Sequence, residues 1–162
     1  MVCISHEEGT MKFESLSNAL TFAAEKEDAS YRLYTSFRDL VQNETARQLL
    51  EKLAAQELNH KELLKNALTT GHIDFVWGKK EISEIDFGDY TSGNTAGPGS
   101  TPQDILQCAV KMAQEAHDLY ADLLANYADT DLEPLLMRLA REELQHMAIV
   151  EDQYERHIAQ WL

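Results

Sequence analysis

The chain has 162 residues, the length of one domain, and its 44% hydrophobic and 26% charged residues are typical of a soluble globular protein. Asp and Glu total 28 against 14 Lys and Arg, and the resulting net charge of −14 opposes binding to nucleic acid or anionic lipid. No segment approaches the roughly 18 apolar residues of a membrane helix, and Met1–Phe13 lacks the apolar core of a signal peptide. The two cysteines, Cys3 and Cys108, form no Cys-x-x-Cys pair, so we expect a reduced, cytoplasmic protein.

Four stretches of the chain carry apolar residues at the three- and four-residue spacing of a helix that buries one face. They predict helices over about 17–41, 44–68, 101–127 and 131–161. The third begins with "STPQD", in which Thr101 can cap the helix, Pro102 suits its first position and Asp104 completes a capping box.

The connections between these helices differ in length. The short links "QNE" and "ADTD" each join two neighbours into an antiparallel hairpin, whereas a long crossover over 69–100 separates the hairpins and an N-terminal tail covers 1–15. One hairpin buries too little apolar surface to fold alone, so the crossover is better explained as a connection within one domain than as a linker. We therefore predict an all-α protein with a single domain over 1–162, an antiparallel four-helix bundle made of two helical hairpins.

The two hairpins form an internal repeat whose equivalent residues lie 86 positions apart. The matches, many of them leucines and alanines, span Asn18 to Leu64 without a gap. Three polar or aromatic pairs also follow it, and they are harder to attribute to leucine-rich composition: Tyr34 with Tyr120, Glu57 with Glu143, and His60 with His146.

Each hairpin carries a Glu-x-x-His pair on the apolar face of its second helix. Residues three positions apart share a helix face, and a helical wheel places Glu57 with His60, and likewise the later pair, among leucines. A buried carboxylate is costly unless it is paired or bound to a metal. A single Glu-x-x-His is more often a surface pair, but two that face each other across a bundle need a common partner, and a divalent cation supplies it. Carboxylate and imidazole ligands suit iron or manganese, and zinc is compatible with them.

The first helix adds Glu27, which lies near the apolar stripe of that helix and at a height similar to that of Glu57 on the facing arm. Tyr34 lies on the same stripe two turns later, where its hydroxyl can bond to a ligand carboxylate. Tyr34 and its repeat partner Tyr120 fit the role of core aromatics equally well, so both interpretations stay open.

Here the chain resembles the rubrerythrin-like branch of the ferritin-like superfamily, over about 17–158. The resemblance is carried by "AAEKEDASYRLY", "LAAQELNHKELL" and "LAREELQHMAIV", and more loosely by "MAQEAHDLYADL" in the third helix. Proteins of this family hold two irons with one Glu from each of two helices and a Glu-x-x-His from each of the other two. The resemblance therefore implies a ferritin-like bundle with two irons per chain, with Glu57 and Glu143 as bridges and with these ligands: Glu27, Glu57, His60, Glu143 and His146.

The third helix departs from the family pattern, because the repeat partner of Glu27 is Ala113. Rubrerythrin-like proteins often carry a metal-binding Glu five residues before the tyrosine, where this chain has Glu115. On a regular helix Glu115 points roughly 125° away from the apolar stripe, and a local π-bulge would be needed to turn it inward. With Glu115 as a sixth ligand the site holds two metals, and without it one metal or an asymmetric pair.

The resemblance implies redox chemistry of the kind used against oxidative stress, with hydrogen peroxide, dioxygen or ferrous iron as the small-molecule substrate. Full-length rubrerythrins also carry a rubredoxin-type iron centre held by Cys-x-x-Cys pairs, which are absent from this sequence. A separate electron donor, or ferrous iron itself, would therefore have to supply the electrons. Family members commonly form dimers, and the apolar Phe75, Val76 and Trp77 in the crossover are consistent with a homodimer surface.

Two other functions remain open beside a peroxidase or ferroxidase. Ala113 favours a metal-binding protein without turnover, which would handle iron or another divalent ion. The third alternative is a structural bundle with a vestigial site, and the two intact Glu-x-x-His pairs count against it.

Overall fold

The structure, a computed structural model, describes residues 4–7, 10–13, 15–70, 96–97, 99–128 and 130–161, with the backbone alone over 4–7, 10–13 and 154–161. Its elements in chain order are β1 (Ile4–Glu7), β2 (Thr10–Phe13), α1 (Leu16–Leu40), α2 (Glu44–Thr69), α3 (Pro102–Tyr127) and α4 (Glu133–Trp161). The helices pack in pairs, α1 on α2 and α3 on α4, and α1 also meets α3. This arrangement confirms the predicted all-α four-helix bundle.

Side-chain caps fix where three of the helices begin. Ser15 accepts a hydrogen bond from the backbone of Asn18 at the start of α1, and Asn43 does the same at the start of α2. Thr101 and Asp104 form the predicted reciprocal capping box of α3. The fourth helix starts two residues later than predicted, because the residues before Glu133 form a turn.

Two short strands precede the bundle, in the segment that the sequence analysis treats as a tail. β1 and β2 pair antiparallel, with Ile4 opposite Phe13 and Glu7 opposite Thr10. Thr10–Phe13 alternates polar and apolar residues over four positions, the shortest run that indicates a strand, whereas Ile4–Glu7 does not alternate.

Residues 71–95 of the predicted crossover lie outside the described residues, and with them Phe75, Val76 and Trp77, so the homodimer surface stays a prediction. The start of the predicted segment belongs to α2, whose last residue is Thr69. Within the described residues, none of the helices combines the length and the hydropathy that crossing a membrane requires.

The core of the bundle consists of two apolar clusters that are separated along the bundle axis. The first apolar cluster joins the start of α1 and the end of α3 to the start of α4, and includes Leu20, Leu119, Leu123, Leu136 and Leu139. The second apolar cluster joins the end of α1 and the start of α3 to the first half of α2, and includes Tyr34, Phe37, Leu50, Leu53 and Leu106. Removing each of these side chains from water contributes about 1.5–3 kcal/mol. The layer between the clusters is polar.

Candidate metal centre

The polar layer contains the charged residues that the sequence analysis assigned to a metal site. α1 supplies Glu27, α2 supplies Glu57 and His60, and α4 supplies Glu143 and His146. All five are buried, with no more than 1% of their surface exposed. Ionisable groups at this depth require partners of opposite charge, because burial strips them of hydration.

The two Glu-x-x-His pairs bond to each other crosswise, as the internal repeat requires. Nδ1 of His60 lies 2.9 Å from Oε1 of Glu143, and Nδ1 of His146 lies 3.0 Å from Oε1 of Glu57. The imidazole rings stack, with their centroids 5.5 Å apart and their planes 13° from parallel. The bundle centre therefore has an approximate twofold symmetry that relates one hairpin to the other.

Four of the buried residues can hold a metal ion. Glu27, Glu57, His60 and Glu143 each offer one ligand atom, and these atoms all lie within 4.8 Å of one another. Nδ1 of His60 is 3.6 Å from Oε2 of Glu27. His146 stands beside this group, with its Nδ1 3.9 Å from Oε2 of Glu143. Three carboxylates and one imidazole are a donor set that suits iron, manganese or zinc.

One carboxylate oxygen in this group lacks the partner that its burial demands. Oε2 of Glu57 has no hydrogen-bond partner among the described residues, although it lies 3.3 Å from Nδ1 of His60. That contact lacks the geometry of a hydrogen bond. A buried carboxylate oxygen left unbonded costs free energy, whereas a cation bound to it would compensate the charge. The residues present therefore fit a divalent cation.

The electrostatics of the group favour the same conclusion. Burial raises the pKa of Glu57 to about 8, and the nearby charge of Glu27 adds to the shift. Burial, together with the charges of Glu27 and Glu57, raises the pKa of Glu143 well above its usual value. Both shifts favour the protonated carboxyl group, and a bound cation would compete with the proton for the same oxygens.

The two histidines respond differently to their similar positions. Burial alone would lower the pKa of His60, but bonds to Glu143, Glu27 and Glu57 more than offset it and raise the pKa. The pKa of His146 is lowered, mainly by burial, although the charge of Glu143 opposes the shift. The positive charge of the metal-free layer therefore resides on His60.

Tyr120, one of the two repeat-related tyrosines, bonds to the candidate metal-binding group. Its hydroxyl donates a short hydrogen bond to Oε1 of Glu27. Tyr34 packs in the second apolar cluster, and the repeat equivalent of Glu27 is Ala113, which has no carboxylate. Burial raises the pKa of both phenols, and the surrounding carboxylates raise it further, so both hydroxyls keep their protons.

Glu115 is not a member of the four-residue group. It is buried with 8% of its surface exposed, and its Oε2 forms an ion pair with Nζ of Lys26 at 2.9 Å. α3 is a regular α-helix around this residue. The structure therefore brings together Glu27, Glu57, His60 and Glu143, with His146 beside them, but does not bring Glu115 to this group. Its role as a sixth ligand stays a prediction.

Two residues that the sequence analysis did not single out contact the outer nitrogens of the histidines. Oε2 of Glu142 lies 2.6 Å from Nε2 of His60, and Oε1 of Gln56 lies 3.2 Å from Nε2 of His146. Glu142 also accepts a hydrogen bond from Arg138. The repeat could have identified this pair, since Gln56 and Glu142 are 86 residues apart and each immediately precedes the Glu of a Glu-x-x-His pair.

Comparisons of the chain with protein-family models, with curated proteins and with solved structures find no match. What the site does must therefore be argued from its own residues.

Proposed function

We propose that this protein is a rubrerythrin-like iron protein that oxidises or reduces a small molecule at the buried Glu/His group. The observation that carries the proposal is the convergence of Glu27, Glu57, His60 and Glu143, in which Oε2 of Glu57 has no hydrogen-bond partner among the described residues. The resemblance of the three helical segments to rubrerythrins supports the choice of iron over manganese or zinc.

The residues of the chain would bind the metal, keep bulk water away and set its charge. Glu27, Glu57 and Glu143 bring negative charge that stabilises ferric as well as ferrous iron. The two apolar clusters close the layer at both ends of the bundle. Tyr120 orients the carboxylate of Glu27 through its hydrogen bond. A pair of bound irons would supply the two electrons that reduce hydrogen peroxide, with two protons, to two waters.

The electrons would then have to be replaced from outside the site. The sequence contains no Cys-x-x-Cys pair that would hold a rubredoxin-type centre. A separate electron-carrier protein would complete a peroxidase cycle, whereas fresh ferrous iron would complete a ferroxidase cycle.

A second candidate function is metal binding without turnover. It is favoured by the position of Ala113, which is buried and offers no ligand, and by the pairing of Glu115 with Lys26. A site with fewer carboxylates would hold one iron firmly, or another divalent ion, without the second electron that peroxide reduction needs.

The experiment is metal analysis of the metal-free protein after anaerobic loading with ferrous iron, followed by addition of hydrogen peroxide. We expect iron to bind, and peroxide to oxidise it at a rate well above that of free ferrous iron. Glu57→Ala should lose the iron. Glu62→Ala, which removes an exposed carboxylate of α2, is the matched control and should keep it.

The outcomes separate the candidates. Iron that binds but is not oxidised faster than free iron would favour metal binding without turnover. Iron content that is unchanged in Glu57→Ala would exclude both functions at this group, and iron that is absent from the wild-type protein would exclude the peroxidase or ferroxidase.

A further inference from the structure

The approximate twofold symmetry of the metal centre is broken at two contacts. The crosswise bonds between the Glu-x-x-His pairs agree closely, at 2.9 Å and 3.0 Å. The two halves differ in the residue that contacts the outer nitrogen of the histidine, and in the residue at the position of Glu27. We call His60, Glu142 and Glu27 the His60 half, and the repeat-equivalent His146, Gln56 and Ala113 the His146 half.

In the His60 half, a carboxylate holds the outer nitrogen of the histidine. Oε2 of Glu142 lies 2.6 Å from Nε2 of His60, and Arg138 fixes the other oxygen of Glu142 at 2.8 Å. An ionised carboxylate can only accept hydrogen bonds, so it keeps the proton on Nε2. Nδ1, which faces the carboxylate group, is then the nitrogen that gives its lone pair to a metal.

In the His146 half, an amide takes the place of that carboxylate. Oε1 of Gln56 lies 3.2 Å from Nε2 of His146. A glutamine amide contains both an acceptor and a donor, and rotation of its terminal group exchanges them. Gln56 is therefore compatible with either tautomer of His146, including the one that carries its proton on Nδ1 and cannot bind a metal there.

The second difference is a missing ligand. Glu27 completes the four-residue group beside His60, with its Oε2 3.6 Å from Nδ1. Ala113 occupies the repeat-equivalent position, is buried, and offers no ligand atom. The neighbouring carboxylate on α3, Glu115, is held by Lys26 at 2.9 Å. The His146 half therefore has only its imidazole and the oxygens that it shares with the His60 half.

From these two differences we infer that the halves bind divalent cations with unequal affinity, tightly at the His60 half and weakly, with rapid exchange, at the His146 half. Gln56 and Ala113 set the difference. Glu142 is a positioning residue, since it acts on the metal through His60. Loss of a carboxylate partner behind a ligand histidine typically lowers metal affinity about 10–100-fold, so this contact alone separates the two halves by that factor. The inference rests on the proposed metal-binding function.

The experiment is a calorimetric titration of the metal-free protein with cobalt(II), followed in parallel by the visible absorption of the bound ion. In the wild-type protein we expect a tight event and a second event that is at least about tenfold weaker. Gln56→Glu should strengthen the second event about 10–100-fold and leave the first unchanged. Glu142→Gln should weaken the first by a similar factor, and Ala113→Glu should strengthen the second.

A separate readout distinguishes positioning from loss of fold. The ¹⁵N resonances of the histidine side chains in the metal-free protein report the protonation and hydrogen bonding of each ring nitrogen, Nε2 as well as Nδ1. Glu142→Gln should change the signals of His60 alone, and Gln56→Glu those of His146 alone. Arg141→Gln, which changes an exposed neighbour of Glu142, is the matched control and should change neither.

Each outcome decides something. A single event in the wild-type protein that becomes two in Gln56→Glu or Ala113→Glu supports the inference. Two events of equal affinity, or a second event that neither variant strengthens, would overturn it while leaving the metal-binding function intact. Absence of any cobalt binding to the wild-type protein would instead refute the proposed function itself.

Discussion

At the scale of single residues, the two repeat-related tyrosines offer a matched comparison. Tyr120 donates a hydrogen bond to the buried Glu27, whereas Ala113 removes the equivalent carboxylate from the surroundings of Tyr34. A hydrogen bond to a charged group contributes about 1.5–3 kcal/mol, and its loss leaves the carboxylate without its donor. We expect Tyr120→Phe to lower the free energy of unfolding of the metal-free protein by about this amount, and Tyr34→Phe by less.

Urea denaturation of both variants measures the difference. The two substitutions remove the same hydroxyl from side chains that are both almost fully buried, so each serves as the control for the other. Equal losses would mean that both tyrosines act as core aromatics and that the bond to Glu27 contributes nothing of its own.

Most of the polar layer could be predicted from single residues, because the same Glu and His occur at equivalent positions in both halves of the repeat. A single Glu-x-x-His carries little information, but Glu57 and His60 recur at the same offset on an equally apolar face. Glu115 could not be placed in the same way. A helical wheel describes one helix in isolation and predicts that this residue is exposed, whereas the neighbouring α1 covers it and supplies Lys26 as its partner.

At the scale of the helices, the same repeat identifies which face of α2 and α4 points to the candidate metal centre. Leu53 and Leu139 are repeat partners with at most 1% of their surface exposed, one in each apolar cluster. Leu58 and Leu144 are also repeat partners, but they expose 39% and 47%. The same residue type therefore occurs on the inner and outer faces of the same two helices.

Truncation of these leucines should separate the two faces. We expect Leu53→Ala and Leu139→Ala each to lower the free energy of unfolding by about 2–5 kcal/mol, because each leaves a cavity in a packed cluster. Leu58→Ala and Leu144→Ala should change it by about 0.5 kcal/mol or less. Thermal or urea denaturation measures both. A large loss in the outer-face variants would show that this face is covered, for example by a second copy of the chain.

The helices were predictable to within two residues at their ends, because apolar periodicity and capping residues are features of short stretches of the sequence. The capping box at Thr101 involves only four consecutive residues, so the local sequence is enough to predict it. The pairing of β1 with β2 was not predicted, because only the second of these two four-residue strands alternates polar and apolar residues. The crosswise order of the histidine bonds also depends on how the two hairpins meet, which no single helix specifies.

At the scale of the whole molecule, the bundle buries a polar layer between two apolar clusters that stabilise the fold. Burial of the charged groups in this layer costs free energy. In the metal-free protein, protonation of Glu57 and Glu143 lowers the cost of this layer. The pKa of Glu57 is about 8 in the folded chain, against 4.5 for an unperturbed glutamate, and the pKa of Glu143 is raised in the same direction. The folded state therefore binds more protons than the unfolded chain between these values.

Linkage then fixes the sign of the pH dependence. Where the folded state holds the extra proton, the free energy of unfolding falls as pH rises. Glu57, Glu143 and His60, with their raised pKa values, all contribute in this sense, whereas the lowered pKa of His146 opposes them. We expect the metal-free protein to lose stability as the pH rises from about 5 to about 8, and Glu57→Gln, which cannot ionise, to lose less.

A bound divalent cation should reverse this trend, because it replaces the protons as the partner of the carboxylates. Metal binding releases those protons, so the affinity for the metal rises with pH over the same interval, and the stabilisation by a fixed metal concentration rises with it. Urea denaturation at pH 5, 6.5 and 8, with cobalt(II) and with a chelator, measures both slopes. If the metal-free protein instead became more stable toward pH 8, the buried carboxyl groups would be ionised without a cation, and the argument that they need one would fail.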